Sequence, residues 1–214
     1  TALRDNKPVI IPSKGTGAIR DPYLWYNEQD NYYYILATDL DFTDGGGDYS
    51  NNSQSFIIWR SKDLVNWYDE TMIDVAAMSH LIGDTRNMTA VWAPQVLWDG
   101  SSYVVYFSLN CNATNSTNNR NAFEIVYLKT TDLLDANAYY EYGKLLKNFL
   151  PNEGWGADGV IDADIIYNPG DGKYYLFYKT ENNSNSSPLK TIHYYVGDTP
   201  TGPFTNPGDN KWTN

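Results

Sequence analysis

The chain has 214 residues, 26 acidic and 15 basic, for a formal net charge of −11, and 15% of it is aromatic. The basic residues are scattered singly instead of forming a stripe, which argues against nucleic acid, whose binding requires displacement of counterions. No apolar run is long enough to span a bilayer, and the single Cys111 cannot form an internal disulfide.

A first aromatic-rich run, Arg20-Asp21-Pro22-Tyr23-Leu24-Trp25-Tyr26, is followed by Tyr32-Tyr33-Tyr34-Ile35-Leu36-Ala37 and by Phe56-Ile57-Ile58-Trp59. A second series repeats the order with Trp92-Ala93-Pro94-Gln95-Val96-Leu97-Trp98, then Tyr103-Val104-Val105-Tyr106-Phe107-Ser108 and Phe123-Glu124-Ile125-Val126-Tyr127. A third has Ile161-Asp162-Ala163-Asp164-Ile165-Ile166-Tyr167, Tyr174-Tyr175-Leu176-Phe177-Tyr178 and Ile192-His193-Tyr194-Tyr195-Val196. These β-branched and aromatic runs predict strands, and Asp99-Gly100 and Asp171-Gly172 predict the hairpin turns between first and second strands. The openings recur roughly every 70 residues, the mark of a repeat architecture.

Each unit therefore reads as an antiparallel meander with an outer strand after it. The fold class expected is all-β, a β-propeller of four-stranded antiparallel blades, with blades at about residues 18–85, 86–150 and 155–205 of a single domain 1–214, or of its N-terminal part. Three blades are too few to close a ring, since closed examples have about four to eight. The chain begins at Thr1 without a signal peptide and ends in a tail, residues 205–214, where a fourth unit would start. It is expected to be the front part of a longer propeller completed by a second chain or a C-terminal segment, self-association being the alternative, because an open aromatic edge invites aggregation.

Polar stretches at residues 44–54, 110–121 and 181–187 read as surface insertions between second and third strands. Sequons at Asn51, Asn87, Asn112, Asn115, Asn182 and Asn185 are a weak sign of a secreted protein. The net negative charge is indifferent to neutral ligands, and neutral ligands rich in hydroxyls are sugars.

Several side chains carry alternative readings. Asp21 in Asp-Pro is either a turn opener or a functional acid. Asp162 and Asp164, two residues apart in an Ile-rich strand, would share a face, which is costly unless the acids are used or solvated. Trp92 is a packing aromatic or a platform for a sugar ring, whereas Trp25, Trp59, Trp67 and Trp98 read as core. His193 reads as a structural histidine, and Cys111 as an inert thiol. The acidic loop from Asp39 to Asp48 lacks the glycine and glutamate of a calcium-binding loop and reads as solvated.

Arg20-Asp21-Pro22, Ser61-Lys62-Asp63-Leu64-Val65-Asn66-Trp67, Trp92-Ala93-Pro94 and Val160-Ile161-Asp162, in that order, resemble glycoside hydrolase family 43, whose members are five-bladed propellers. The resemblance implies inverting hydrolysis of arabinofuranosyl or xylosyl linkages in plant polysaccharides or oligosaccharides. It makes Asp21 the general base and Asp162 the carboxylate that orients the acid and tunes its pKa. The acid would be a glutamate in a fourth blade beyond residue 214, so the isolated chain would be inactive; Glu153 is the one local substitute. Trp92, Arg20, Gln95 and Asp164 would contact substrate, although Gln95 stands where many members carry aspartate. No cofactor or metal ligand set is implied, and structural calcium, held by some members, is not readable here. The partner expected is an arabinose- or xylose-containing carbohydrate, not nucleic acid or membrane, met in a secreted or periplasmic setting. A non-catalytic carbohydrate-binding propeller is the alternative. Retaining relatives that act on fructosides open on Asn-Asp-Pro, which does not occur in this sequence.

Overall fold

The computed structural model describes residues 3–41, 52–83, 88–111, 123–146, 160–182 and 189–208. They form three antiparallel sheets whose strands follow one another in chain order. The first holds β1 (Ile19–Asn27), β2 (Tyr32–Leu40), β3 (Asn52–Ser61) and β4 (Trp67–Asp74). The second holds β5 (Met88–Trp98), β6 (Tyr103–Cys111), β7 (Phe123–Thr130) and β8 (Tyr139–Leu146). The third holds β9 (Val160–Asn168), β10 (Lys173–Asn182) and β11 (Leu189–Gly197). The strands reach further than composition indicates: Asn52 pairs with Leu40, and Glu181 with Lys190, inside stretches whose polarity predicts loop.

The β5–β6 and β9–β10 turns contain Gly100 at φ 100° and Gly172 at φ 71°, and the β1–β2 turn uses Asn31 at φ 60° for the same purpose. The Ser61 to Trp67 motif is a turn that launches β4. The Ser61 hydroxyl accepts the N–H groups of Asp63 and Leu64, and Asp63 Oδ1 accepts those of Val65 and Asn66. Those backbone donors, Asn66 and then Val65, hold the Asp63 carboxyl well below its usual range. Thr130 and Asp132 repeat the device before β8.

The sheets stack face to face. Leu36, Phe56 and Ile58 meet Val105, Phe107 and Leu128 between the first and second sheets, with Phe56 and Phe107 ring centroids 5.8 Å apart. Tyr106 and Ile125 meet Ala163, Ile165, Leu176 and Tyr178 between the second and third. Trp59 is buried, and Trp25, Trp67 and Trp98 are half-buried against other apolar side chains, so all four serve packing. The inner strand β5 packs against β1 on one side and β9 on the other.

The third sheet differs from the four-stranded expectation by having three strands among the described residues. Beyond β11 the described residues make a single bridge, Val196 to Thr205, with both N–H to O bonds at 2.9 Å. Pro203 and Pro207 flank Thr205 and offer no N–H, so the ladder cannot extend evenly to either side. Of the sequon asparagines, Asn182 ends β10 and the other five lie outside the described residues.

Candidate active site

Each inner strand is interrupted at the same place. Between Arg20 and Tyr23 on β1, Trp92 and Gln95 on β5, and Ile161 and Asp164 on β9, two residues face one residue of the neighbouring strand. The first residue of each bulge has left-handed backbone: Asp21 at φ 48°, Ala93 at φ 48° and Asp162 at φ 54°. Bulges of this kind bend a strand and redirect its side chains. Aspartate tolerates the conformation because its short polar side chain bonds locally, whereas alanine has no such compensation for a cost of about 1–2 kcal/mol. Pro22 and Pro94 take the second bulge position, where a missing N–H spares the ladder an unpaired donor.

This repeat fixes where the two sequence-predicted carboxylates lie. Asp21 and Asp162 occupy equivalent positions on β1 and β9, the strands either side of β5, and only the Ala93 methyl occupies the matching place between them. Both aspartates are exposed and Ala93 is buried. Asp162 Oδ2 pairs with Lys179 Nζ at 2.5 Å, yet its side chain keeps 43% exposure, so the pair is open to solvent.

Two buried hydroxyls that sequence reasoning did not single out lie beneath these bulges. Thr38 on β2 donates to Asp21 Oδ2 at 3.2 Å and accepts the Ala93 N–H at 2.7 Å. Ser108 on β6 accepts the Asp162 N–H at 3.1 Å. In each case a hydroxyl of one sheet takes the left-handed residue's N–H from the next.

The residues just after the bulges, Tyr23, Gln95 and Asp164, are again equivalent. The buried Tyr106 hydroxyl joins two of them: it lies 2.8 Å from Gln95 Oε1 and 3.4 Å from Asp164 Oδ1, and accepts the Ile165 N–H at 3.0 Å. Burial, and then the Asp164 carboxylate, push the Tyr23 phenol up to about 12, so a charge on β9 is felt on β1 at this layer. The shared face expected for Asp162 and Asp164 rested on unbroken alternation, and the bulge between them removes that basis. Asp162 pairs with Lys179 of its own sheet, and Asp164 faces Tyr106 of the second.

Trp92 is half-buried, with its ring centroid 4.4 Å from that of Phe123 and its Nε1–H donated to Asn52 Oδ1 at 3.2 Å. The ring thus packs and bridges sheets as well as standing beside Ala93. Arg20 is exposed at the edge of the first bulge. His193 is buried, with Nε2 3.0 Å from the Thr180 hydroxyl and its ring stacked on Tyr178, as expected of a structural histidine.

Asp39 corrects the reading of its loop as solvated. It is buried on β2, and its Oδ1 accepts the Thr16 N–H and hydroxyl, each at 2.7 Å, clamping the segment that precedes β1. Residues 42–50 of that loop, and Glu153, lie outside the described residues. Among the described residues, no three His, Cys, Asp or Glu side chains gather in a way that fits a metal ion.

A family profile described as "Probable glycosyl hydrolase domain", related to glycoside hydrolase family 43, matches residues 1–206. An α-L-arabinofuranosidase of Bifidobacterium longum subsp. longum is 27% identical over 183 residues, which cover 83% of this chain and 16% of that protein. An α-L-arabinofuranosidase from Lactobacillus brevis superposes with a TM-score of 0.61 at 17% identity, over 96% of this chain and 56% of the other. A family 117 glycoside hydrolase of Zobellia galactanivorans does so with a TM-score of 0.61 at 16% identity, over 90% and 56%. The chain thus spans about one sixth of its curated relative and just over half of each structure.

Proposed function

The chain belongs to the family of probable glycosyl hydrolase domains related to glycoside hydrolase family 43, and from that membership we propose that it supplies the water-activating part of an inverting glycosidase site. The substrate is an arabinofuranosyl or xylosyl linkage in a plant polysaccharide or oligosaccharide met outside the cytoplasm, a choice supported by the arabinofuranosidases it is similar to. The observation that carries the reading is the placement of Asp21 and Asp162 at equivalent bulges on β1 and β9, both exposed, with a methyl between them.

Inversion needs a carboxylate that takes a proton from water on one face of the sugar and a carboxylic acid that protonates the leaving oxygen on the other. Asp21 acts as the base. Asp162 orients the acid, and its negative charge, partly offset by the pairing with Lys179, favours the protonated form of a neighbouring carboxyl. The acid itself comes from polypeptide outside these three sheets. Trp92, Arg20, Gln95 and Asp164 line the approach.

The test is Asp21→Asn in the full-length polypeptide that carries these residues. Loss of a general base lowers kcat about 10²–10⁴-fold while binding of arabino- or xylo-oligosaccharide stays within a few-fold, because the base acts in the transition state. Retention of more than about a tenth of the activity overturns the assignment, given that range. NMR of the first-formed anomer reads inversion directly, and sugar binding without any hydrolysis by the parent would make this a binding propeller.

A further inference from the structure

Resting on the reading of Asp21 as the base, we propose that Thr38 is a positioning residue of the site: its buried hydroxyl sets the Asp21 carboxylate against the neighbouring sheet. A threonine hydroxyl has one proton and two lone pairs. The Ala93 N–H, 2.7 Å away, engages a lone pair, and the proton is directed to Asp21 Oδ2 at 3.2 Å. Thr38 is fully buried, so water does not reach its hydroxyl, and its β-branched side chain in a strand has restricted freedom about χ1. The hydroxyl therefore has one available orientation, fixed from the second sheet and read out on the first.

The repeat supplies an independent reason to regard this as built. Thr38 lies opposite Arg20, the residue before the first bulge, and Ser108 lies opposite Trp92, the residue before the second. Ser108 is likewise fully buried and takes the N–H of the next left-handed residue, Asp162, at 3.1 Å. Two hydroxyls at equivalent places in consecutive sheets thus hold the bulge of the following sheet. Lys179 stands opposite Ile161, the corresponding place in the third sheet, and there an ammonium on Asp162 replaces the hydroxyl. Thr38 combines the grip on the next sheet with a bond to a carboxylate in its own.

A base displaced by about 1 Å loses up to about 10²-fold in rate, which sets the scale of the test. In the full-length polypeptide, Thr38→Val keeps the shape and removes the hydroxyl. It is expected to lower kcat about 10–100-fold with KM within about two-fold, while Thr38→Ser restores kcat to within about three-fold of the parent. Thr38→Ser against Thr38→Ala, which differ by one oxygen at nearly equal volume, carries the same test if the valine variant does not fold. The proposal is overturned if Thr38→Val keeps kcat within about three-fold, or if the serine variant is as impaired as the valine or alanine one. Asp21→Asn assayed alongside separates the two ideas: its inactivity with an active Thr38→Val removes the positioning role alone, and an active Asp21→Asn removes both.

Discussion

Replacing Tyr106 by phenylalanine deletes one oxygen from the boundary between the second and third sheets and tests whether the layer beneath the bulges is a working hydrogen-bond node. The side chain is fully buried, and its oxygen accepts the Ile165 N–H at 3.0 Å while its proton goes to Gln95 Oε1 at 2.8 Å. Asp164 Oδ1, at 3.4 Å, is the weaker claimant for that one proton. Without the oxygen, Ile165 on buried backbone has lost its acceptor, at about 1–3 kcal/mol, and the bond to Gln95 contributes about 1 kcal/mol more. The expected loss is therefore about 2–4 kcal/mol, read by urea unfolding of the full-length polypeptide with tryptophan fluorescence. A double-mutant cycle with Gln95→Leu isolates the side-chain pair and should give a coupling of about 1 kcal/mol. A cost for Tyr106→Phe below about 0.5 kcal/mol would refute the reasoning, because a buried N–H left without a partner cannot be that cheap.

Gly15→Ala is expected to destabilise by about 2–4 kcal/mol in thermal or chemical unfolding, since Gly15 sits at φ 67° and an added Cβ falls onto the Asp39 carboxylate that holds Thr16. Stability is also expected to fall with pH above about 10. Burial, then Tyr23 and Asp164, raise the Tyr106 phenol well above its ordinary value of 10.0, so the unfolded chain releases that proton at about pH 10 while the native chain retains it. The unfolded state then binds fewer protons, and Tyr106 removes up to about 1.4 kcal/mol per pH unit; in Tyr106→Phe the fall above about pH 10 should be shallower by that contribution, the part due to the likewise raised Tyr23 phenol remaining, when unfolding is followed as a function of pH.

The strands were legible because their chemistry is local. Tyr32 to Ala37 and Tyr103 to Ser108 alternate poorly but are dense in aromatic and β-branched residues: Tyr103 to Ser108 is buried between two sheets and needs no polar face, and the face of the first sheet turned from the second packs Ile35 and Ala37 with Ile10, Trp59 and Trp67. Asp-Gly at 99–100 and 171–172 announced two turns, whereas Asn31 at φ 60° carried no comparable signal beside Glu28, Gln29 and Asp30. The bulges were half legible. Asp21-Pro22, Ala93-Pro94 and Asp162-Ala163 stood out as a repeat, but left-handed backbone at an aspartate or alanine is imposed by the register between strands, not by the residue. For the same reason the simple rule that residues two apart share a face failed at Asp162 and Asp164.

Thr38, Ser108 and Tyr106 were illegible for a different reason: the backbone N–H that each accepts lies in another sheet, 55, 54 and 59 residues away. One signal was nonetheless present. Thr38 after Ile35-Leu36-Ala37 and Ser108 between Phe107 and Leu109 each place a small hydroxyl in a mostly apolar strand, and a buried hydroxyl is retained only where something bonds it. Since the ladder inside a sheet satisfies its own backbone, that partner had to be a group the ladder leaves out. A bulge frees such an N–H, and the openings repeat in all three sheets. The second-strand hydroxyls and the bulges of the following sheet are therefore complementary parts of one joint made twice, which holds the backbone at Ala93 and Asp162 and, through the proton of Thr38, the carboxylate of Asp21.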